Sequence, residues 1–119
     1  MQTGRSEDLP LGVMTTSTIQ SIQHGIVFLM AKWSGGAKCA QRKLITFMEQ
    51  RGIPLERLHA LDVDRHPELY EMPEFVGRIH GWGEAAVIKN CKIVFVAVLG
   101  KDQSRIHEYC DELFRAYDA

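Results

Sequence analysis

Two adjoining stretches of the chain decide its fold. Residues 25–31 read Gly-Ile-Val-Phe-Leu-Met-Ala, and residues 33–38 read Trp-Ser-Gly-Gly-Ala-Lys. The first is a continuous apolar run of strand length, typical of a central strand that is buried on both faces. The second holds a glycine pair that permits a tight turn. Together they predict a buried strand that is followed by a tight loop.

The element that follows the loop is predicted to be a helix. Ser34 suits its N-cap, because a serine hydroxyl accepts a hydrogen bond from a first-turn amide. Gly52 and Pro54 lie just beyond the last apolar position, which is a common way for a helix to end. The apolar residues recur at helical spacing on one stripe: Ala37, Ala40, Leu44, Phe47 and Met48.

The middle of the chain predicts a second strand and a second helix. Residues 58–63 alternate well enough to form a strand. We expect a helix to begin near Asp64 or His66, with Pro67 in its first turn, and to run towards residue 76. Pro73 should interrupt that helix, because proline lacks the amide hydrogen that a helix interior requires.

The last part of the chain predicts a hairpin and a final helix. Residues 85–89 and 93–98 are strand-like and flank a tight turn at Asn90 and Cys91. Asp102 or Ser104 is expected to cap the helix. Its apolar stripe is strong: Ile106, Tyr109, Cys110, Leu113, Phe114 and Tyr117.

The order of these elements defines the fold class and the domains. Residues 1–12 are polar and are expected to be a flexible lead-in. Residues 13–119 are expected to form one domain, and residues 13–23 fit a short strand or a short helix equally well. A strand, crossover helix and parallel strand, followed by a hairpin, predict an α/β fold. Its central mixed β-sheet would be flanked by helices on both faces.

This order resembles the thioredoxin family, and four local features add to the likeness. Residues 31–33 resemble the family's Ala-x-Trp, and residues 61–64 followed by proline resemble its Val-Asp-x-Asp segment. Residues 79–84, Ile-His-Gly-Trp-Gly-Glu, stand where the family has Val-x-Gly-Ile-Pro-Thr. Residues 89–90 match the turn before the last strand. The resemblance implies a thioredoxin fold over about residues 13–119.

The residues that carry the family's chemistry are replaced. The family writes its loop as Trp-Cys-Gly-Pro-Cys-Lys, and here Ser34 and Ala37 stand in place of the two cysteines. By the same resemblance, the family's buried aspartate falls at Phe28 and its cis-proline falls at Gly83. Disulfide exchange needs a thiolate and a second, resolving thiol. We therefore expect a domain without this redox activity, with no catalytic residues and no cofactor.

The two tryptophans suggest what such a domain would retain. In the family, the loops that hold Trp33 and Trp82 border the surface where substrate polypeptides lie. Tryptophan is a frequent interface anchor, although both residues could also serve only to pack their loops. The leading hypothesis is an adaptor, folding or assembly module that binds another protein or a second copy of itself. The predicted contact surface consists of Trp33, Ser34, Gly35, Gly36 and Ala37 with Gly81, Trp82, Gly83 and Glu84.

A second hypothesis keeps thiol chemistry at a displaced position. Cys39 and Cys91 are the candidate reactive thiols of an oxidoreductase or redox sensor, whereas Cys110 is expected to lie in the core. A third hypothesis is a small-ligand or immunity-type binding module, for which the sequence offers no discriminating signal.

Charge and composition exclude several other classes of function. The net charge is −1, so no general attraction to nucleic acid or to anionic membranes is expected. No apolar stretch approaches the length of a membrane-spanning helix. His107 and Cys110 share a helical face, but no second pair of metal ligands is evident, so no metal site is expected. Three cysteines without a paired pattern are consistent with a reducing, cytoplasmic location.

Overall fold

Residues 19–119 form a four-stranded mixed sheet. The computed structural model describes residues 19–119. The strands of this region are β1 (His24–Met30), β2 (Leu58–Asp62), β3 (Glu84–Lys89) and β4 (Lys92–Val98), and its α-helices are α1 (Gly35–Gln50) and α2 (Ile106–Asp118). Neighbouring strands run in the order β2-β1-β3-β4; β1 and β2 are parallel, and the other two pairs are antiparallel. The predicted fold class is confirmed. The lead-in over residues 1–12 and residues 13–18 of the domain lie outside the described residues, so the boundary at residue 13 stays a prediction.

Strand β1 lies in the middle of the core. It is paired on both sides, with β2 and with β3, and residues 26–29 are fully buried. Phe28 points towards α1, and the His24 ring stacks on Tyr117 of α2 at 4.0 Å, so both α-helices pack on this face. Val27 and Leu29 point to the opposite face and are equally buried. The continuous apolar run of this strand is explained by burial on both faces.

Helix α1 begins and ends as the sequence predicts. Ser34 has an extended backbone, and its Oγ accepts a hydrogen bond from the Ala37 amide at 3.1 Å. This bond satisfies one of the first-turn amides that a helix leaves without an internal partner. Gly52 follows the helix at φ +73°, a conformation that favours glycine. The stripe that faces the core includes Ala37, Ala40, Leu44 and Met48, with Phe47 partly buried.

The hairpin between β3 and β4 also matches its prediction. Asn90 and Cys91 both have positive φ, at 53° and 66°. Two consecutive left-handed residues are typical of a type I′ turn, whose twist suits two adjoining antiparallel strands. The tight turn therefore places β4 directly beside β3.

The helix predicted after β2 is wrong in type and length. The structure has a 3₁₀ helix over Pro67–Glu71, and His66 precedes it without a side-chain capping bond. Met72 then adopts an extended conformation (φ −70°, ψ 132°). The cause is Pro73, whose ring disfavours the helical conformation of the residue before it. The segment nevertheless contributes Leu69 and Phe75 to the core.

The predicted cap of the last helix is also corrected. Asp102 Oδ1 accepts a hydrogen bond from the Ser104 amide at 3.1 Å, but this caps a 3₁₀ helix over Gln103–Arg105. Helix α2 starts afterwards at Ile106 and has no side-chain cap. Its apolar stripe is confirmed, with Tyr109 partly buried and the remaining members buried: Ile106, Cys110, Leu113, Phe114 and Tyr117.

Candidate functional site

The two loops that the sequence singles out lie against each other. The Trp33 indole packs directly on the backbone of Gly81, and a Cβ at Gly81 would overlap ring atom Cη2. Gly81 also has φ +79°, which disfavours any residue with a side chain. Glycine at this position therefore serves two purposes, the turn and the contact with the indole.

Both tryptophans at this junction are exposed. Trp33 is 67% exposed and Trp82 is 44% exposed. The Trp82 ring lies beside the His80 ring, with centroids 5.1 Å apart and the planes tilted by 34°. We call Trp33, Gly81 and Trp82 together the tryptophan surface. Large aromatic side chains in such a position are typical of interfaces.

The loop before α1 offers a helix start but no reactive group. Ser34 Oγ is engaged by the Ala37 amide, and Ala37 is buried in the core. Gly35 and Gly36 are the first two residues of the helix. A Cβ at Gly35 would meet no atom within 4 Å, so this position is open to solvent.

The space behind this loop is filled by apolar atoms. Gly83 has φ +92°, and a Cβ there would lie 2.8 Å from the Ala40 Cβ, 3.0 Å from the Phe28 ring and 3.3 Å from the Ala37 Cα. The Gly83 carbonyl accepts a hydrogen bond from the Leu99 amide at 2.9 Å. The chain is therefore tightly held where β3 begins.

Glu84 lies beneath the tryptophan surface. It is fully buried, and its Oε2 accepts hydrogen bonds from the backbone amides of His80 at 2.9 Å and Trp82 at 3.3 Å. Its Oε1 is buried without a hydrogen-bond partner among residues 19–119. Burial raises the pKa of this carboxyl, and the two amides only partly oppose that effect. A partner on the surface would meet the loop that Glu84 holds.

Sequence reasoning missed Tyr70 and Asp62, which lie near the same surface. Tyr70 is exposed, and burial together with the negative charges of Asp64 and Glu84 raises the pKa of its phenol. Asp62 is buried at the end of β2 and accepts a hydrogen bond from the Asp64 amide at 3.0 Å, with Lys32 Nζ 3.9 Å away. Only tertiary structure brings this segment to the loops, so the sequence held no local signal for it.

The three cysteines are separate in the structure. None forms a disulfide; Cys39 and Cys91 are half-buried and Cys110 is buried. Burial raises the pKa of the Cys110 thiol to about 12, so this thiol is inert at neutral pH. Gln23 Nε2 donates a weak hydrogen bond to Cys91 Sγ at 3.6 Å.

Residues 19–119 contain no group of three or more His, Cys, Asp or Glu side chains placed to hold a metal ion. No helix within the same residues has the length and apolar character needed to cross a membrane.

Comparison with solved structures identifies the fold. Family models and curated protein sequences give no match to the chain. Thioredoxin from Trypanosoma brucei brucei superposes with a TM-score of 0.61 at 11% identity, covering 100% of this chain and 99% of that one. Thioredoxin from Schistosoma mansoni gives 0.60 at 18% identity, covering 94% and 98%. Thioredoxin from Plasmodium falciparum gives 0.54 at 19% identity, covering 82% and 88%.

These likenesses span 88% to 99% of the compared chains. Identities this low show the fold and leave the activity open. The chain has the thioredoxin fold, as its sequence resemblance implied.

Proposed function

We propose that this thioredoxin-like domain is redox-inactive and binds another polypeptide through the tryptophan surface, as an adaptor, folding or assembly module. The observation that carries the proposal is the pair of exposed indoles on adjoining loops, with Trp33 packed on Gly81. Exposed tryptophan is costly in water and is over-represented among the residues that dominate binding energy. Two such residues side by side favour an interface.

The state of the loop before α1 supports the redox-inactive part of the proposal. A dithiol enzyme uses a thiolate at the start of this helix and a second thiol one turn later. Ser34 Oγ instead accepts the capping hydrogen bond, and Ala37 has no functional group. Phe28 and Gly83, which stand where the resemblance puts the family's aspartate and cis-proline, make apolar contacts beside the start of α1 and carry no acid or base themselves.

The competing function would use a displaced thiol. Cys39 and Cys91 are only half-buried, so reagents could reach them. The two functions are separated by thiol alkylation rates measured across pH in Cys39→Ser and Cys91→Ser variants. A cysteine that titrates well below about 8.5 and is required for an activity would favour the thiol function.

The binding function is tested by capturing partners from an extract of the source cells. The bait is the whole chain, compared with Trp33→Ala, Trp82→Ala and the control Val94→Ala. Val94 is a suitable control because it is 53% exposed on β4, a strand that carries neither tryptophan. We expect both tryptophan variants to lose a partner that the control retains. An unchanged partner set in all variants would contradict the proposal.

Sedimentation of the purified chain tests whether the partner is a second copy. A dimer that Trp33→Ala and Trp82→Ala both convert to a monomer would identify self-association as the function of the surface. A monomer at every concentration would leave a different polypeptide as the partner.

A further inference from the structure

We propose that Glu84 is a positioning residue for Trp82: it holds residues 80–82 through one hydrogen-bond acceptor atom, and it does so independently of its charge. The inference rests on the proposed function only in treating Trp82 as a contact residue. The structural role can be measured without any partner.

The first observation is the geometry of the hydrogen bonds. Glu84 is the first residue of β3, and its Oε2 accepts both the His80 amide at 2.9 Å and the Trp82 amide at 3.3 Å. Gly81 and Gly83, at φ +79° and +92°, turn the chain around this oxygen. One buried atom therefore fixes two amides of the loop.

The second observation is that the backbone of Trp82 is restrained on both sides of its Cα atom. Its amide donates to Glu84, and its carbonyl packs so closely on Gly100 that a Cβ there would overlap the oxygen. Restraint at both ends fixes where the Cα–Cβ bond points. The exposed indole is thus held in place from the interior.

The third observation concerns the second carboxyl oxygen of Glu84, Oε1. Oε1 is buried and has no hydrogen-bond partner among residues 19–119. A proton on Oε1 would leave Oε2 free to accept both amides, so the loop contacts survive in either protonation state. The groups that act on this carboxyl are the His80 ring, whose positive charge favours ionisation, and the phenol of Tyr70, which lies within reach of its charge.

These observations determine which side chains could replace Glu84 and keep its role. Glutamine offers an acceptor oxygen of the same reach and carries no charge. Methionine has a similar length but offers only a weak sulfur acceptor. It also removes the cost of burying an unpartnered polar atom, which offsets the loss of the acceptor for the two amides, so we expect little net change in global stability.

The experiment compares Glu84→Gln and Glu84→Met in a Trp33→Phe background, which leaves Trp82 as the one tryptophan of the chain. Amide hydrogen exchange at residues 80 and 82, Trp82 emission and thermal unfolding are measured. We expect Glu84→Met to keep its melting temperature while both amides exchange about tenfold faster. Glu84→Gln should keep the parent's exchange rates and emission. Protected amides in Glu84→Met, or exchange in Glu84→Gln as fast as in Glu84→Met, would overturn the inference.

The matched control is Asp62→Ala. Asp62 is a second buried acid with one amide partner, Asp64, and β1 separates its strand from β3. This variant should free the Asp64 amide and leave residues 80 and 82 protected. Loss of protection at residues 80 and 82 here would mean that exchange reports general loosening, against the inference.

A pH series keeps the test decisive if Glu84→Met fails to fold. The parent and Glu84→Gln should show the same Trp82 emission maximum from about pH 5 to about pH 8, since the two proteins share every other titratable group. Divergence of the two curves would show that charge matters and would overturn the inference. If these results hold while Trp33→Ala and Trp82→Ala keep every partner, the loop role of Glu84 stands and the proposed function fails.

Discussion

The interior behind the Ser34 loop and the surface in front of it differ sharply. Behind the loop, Phe28, Ala37 and Gly83 meet without a polar side chain among them. In front of it, Trp33 and Trp82 are exposed on adjoining loops. Phe28, Ala37 and Gly83 take part in packing alone, whereas the surface carries exposed aromatic groups that packing does not require.

This contrast separates two properties of the thioredoxin fold. Ser34 and Ala37 stand where the family has its two cysteines. Phe28 and Gly83 stand where it has its buried aspartate and its cis-proline. Stability is the role of these interior residues. The tryptophan surface is the feature through which we propose that the domain acts. Variants of the interior and of this surface test whether the two properties are separate.

The largest effect is expected from Phe28→Ala. The ring is fully buried and contacts the region around α1, so its removal leaves a cavity in the core. We expect a loss of about 4 kcal/mol in the free energy of unfolding. Urea denaturation measures this loss, and Val94→Ala on the exposed edge should change stability by less than about 0.5 kcal/mol. A loss below about 1 kcal/mol for Phe28→Ala would contradict the view of this position as core.

Gly83→Ala is expected to have the next largest effect. Its Cβ would lie 2.8 Å from the Ala40 Cβ, and φ is +92°. Crowding and backbone strain together should cost about 3 kcal/mol. Gly35→Ala is the control, because a Cβ there meets open space and alanine favours the helix. Equal unfolding midpoints for the two variants would show that the interior is less tightly packed than the contacts indicate.

The parts of the fold that the sequence predicted are those that depend on neighbouring residues. The apolar run of β1, the Ser34 cap and the turn at Asn90 each depend on neighbouring residues, and all three are confirmed. The helix expected after Asp64 is instead a short 3₁₀ helix over Pro67–Glu71, whereas the interruption expected from Pro73 is confirmed, because Met72 before it is extended. The Asp102 cap was assigned to the wrong helix because a 3₁₀ turn intervenes.

The site was less predictable for a physical reason. The sequence could place Trp33 and Trp82 on loops, but their contact through Gly81 exists only after the sheet has formed. The burial of Glu84 gave no local signal either, since glutamate is ordinarily exposed. Tyr70 reaches the same region through a turn whose conformation the sequence did not predict.

Trp33→Ala tests the tryptophan surface, as Phe28→Ala tests the interior. The indole is mostly exposed, so we expect a stability loss of less than about 1 kcal/mol. Circular dichroism and thermal unfolding measure it alongside partner capture. A small stability loss with a lost partner would separate binding from packing. A loss of unfolding free energy as large as that of Phe28→Ala would show that Trp33 is needed for the stability of the fold, against the account.

The smallest effect is a pH dependence from Glu84. In the unfolded chain its carboxyl titrates near 4.5, and burial raises the folded-state pKa. The folded state therefore holds this proton over a window above pH 4.5, and stability falls as pH rises through that window. Burial lowers the pKa of His59, which contributes the opposite slope below its ordinary value of 6.5.

Comparison with Glu84→Gln isolates this contribution, since His59 is common to both proteins. The free energy of unfolding of the parent should fall relative to that of the variant as pH rises above 4.5. Parallel pH profiles, or a parent that gains stability with pH relative to the variant, would contradict the buried, raised-pKa assignment.

The central claim is that this thioredoxin fold lacks the chemistry of disulfide exchange. Insulin reduction in the presence of dithiothreitol tests it most directly, with a dithiol thioredoxin as the positive reference. We expect the chain to precipitate insulin no faster than dithiothreitol alone. Turnover comparable to the reference would contradict the account.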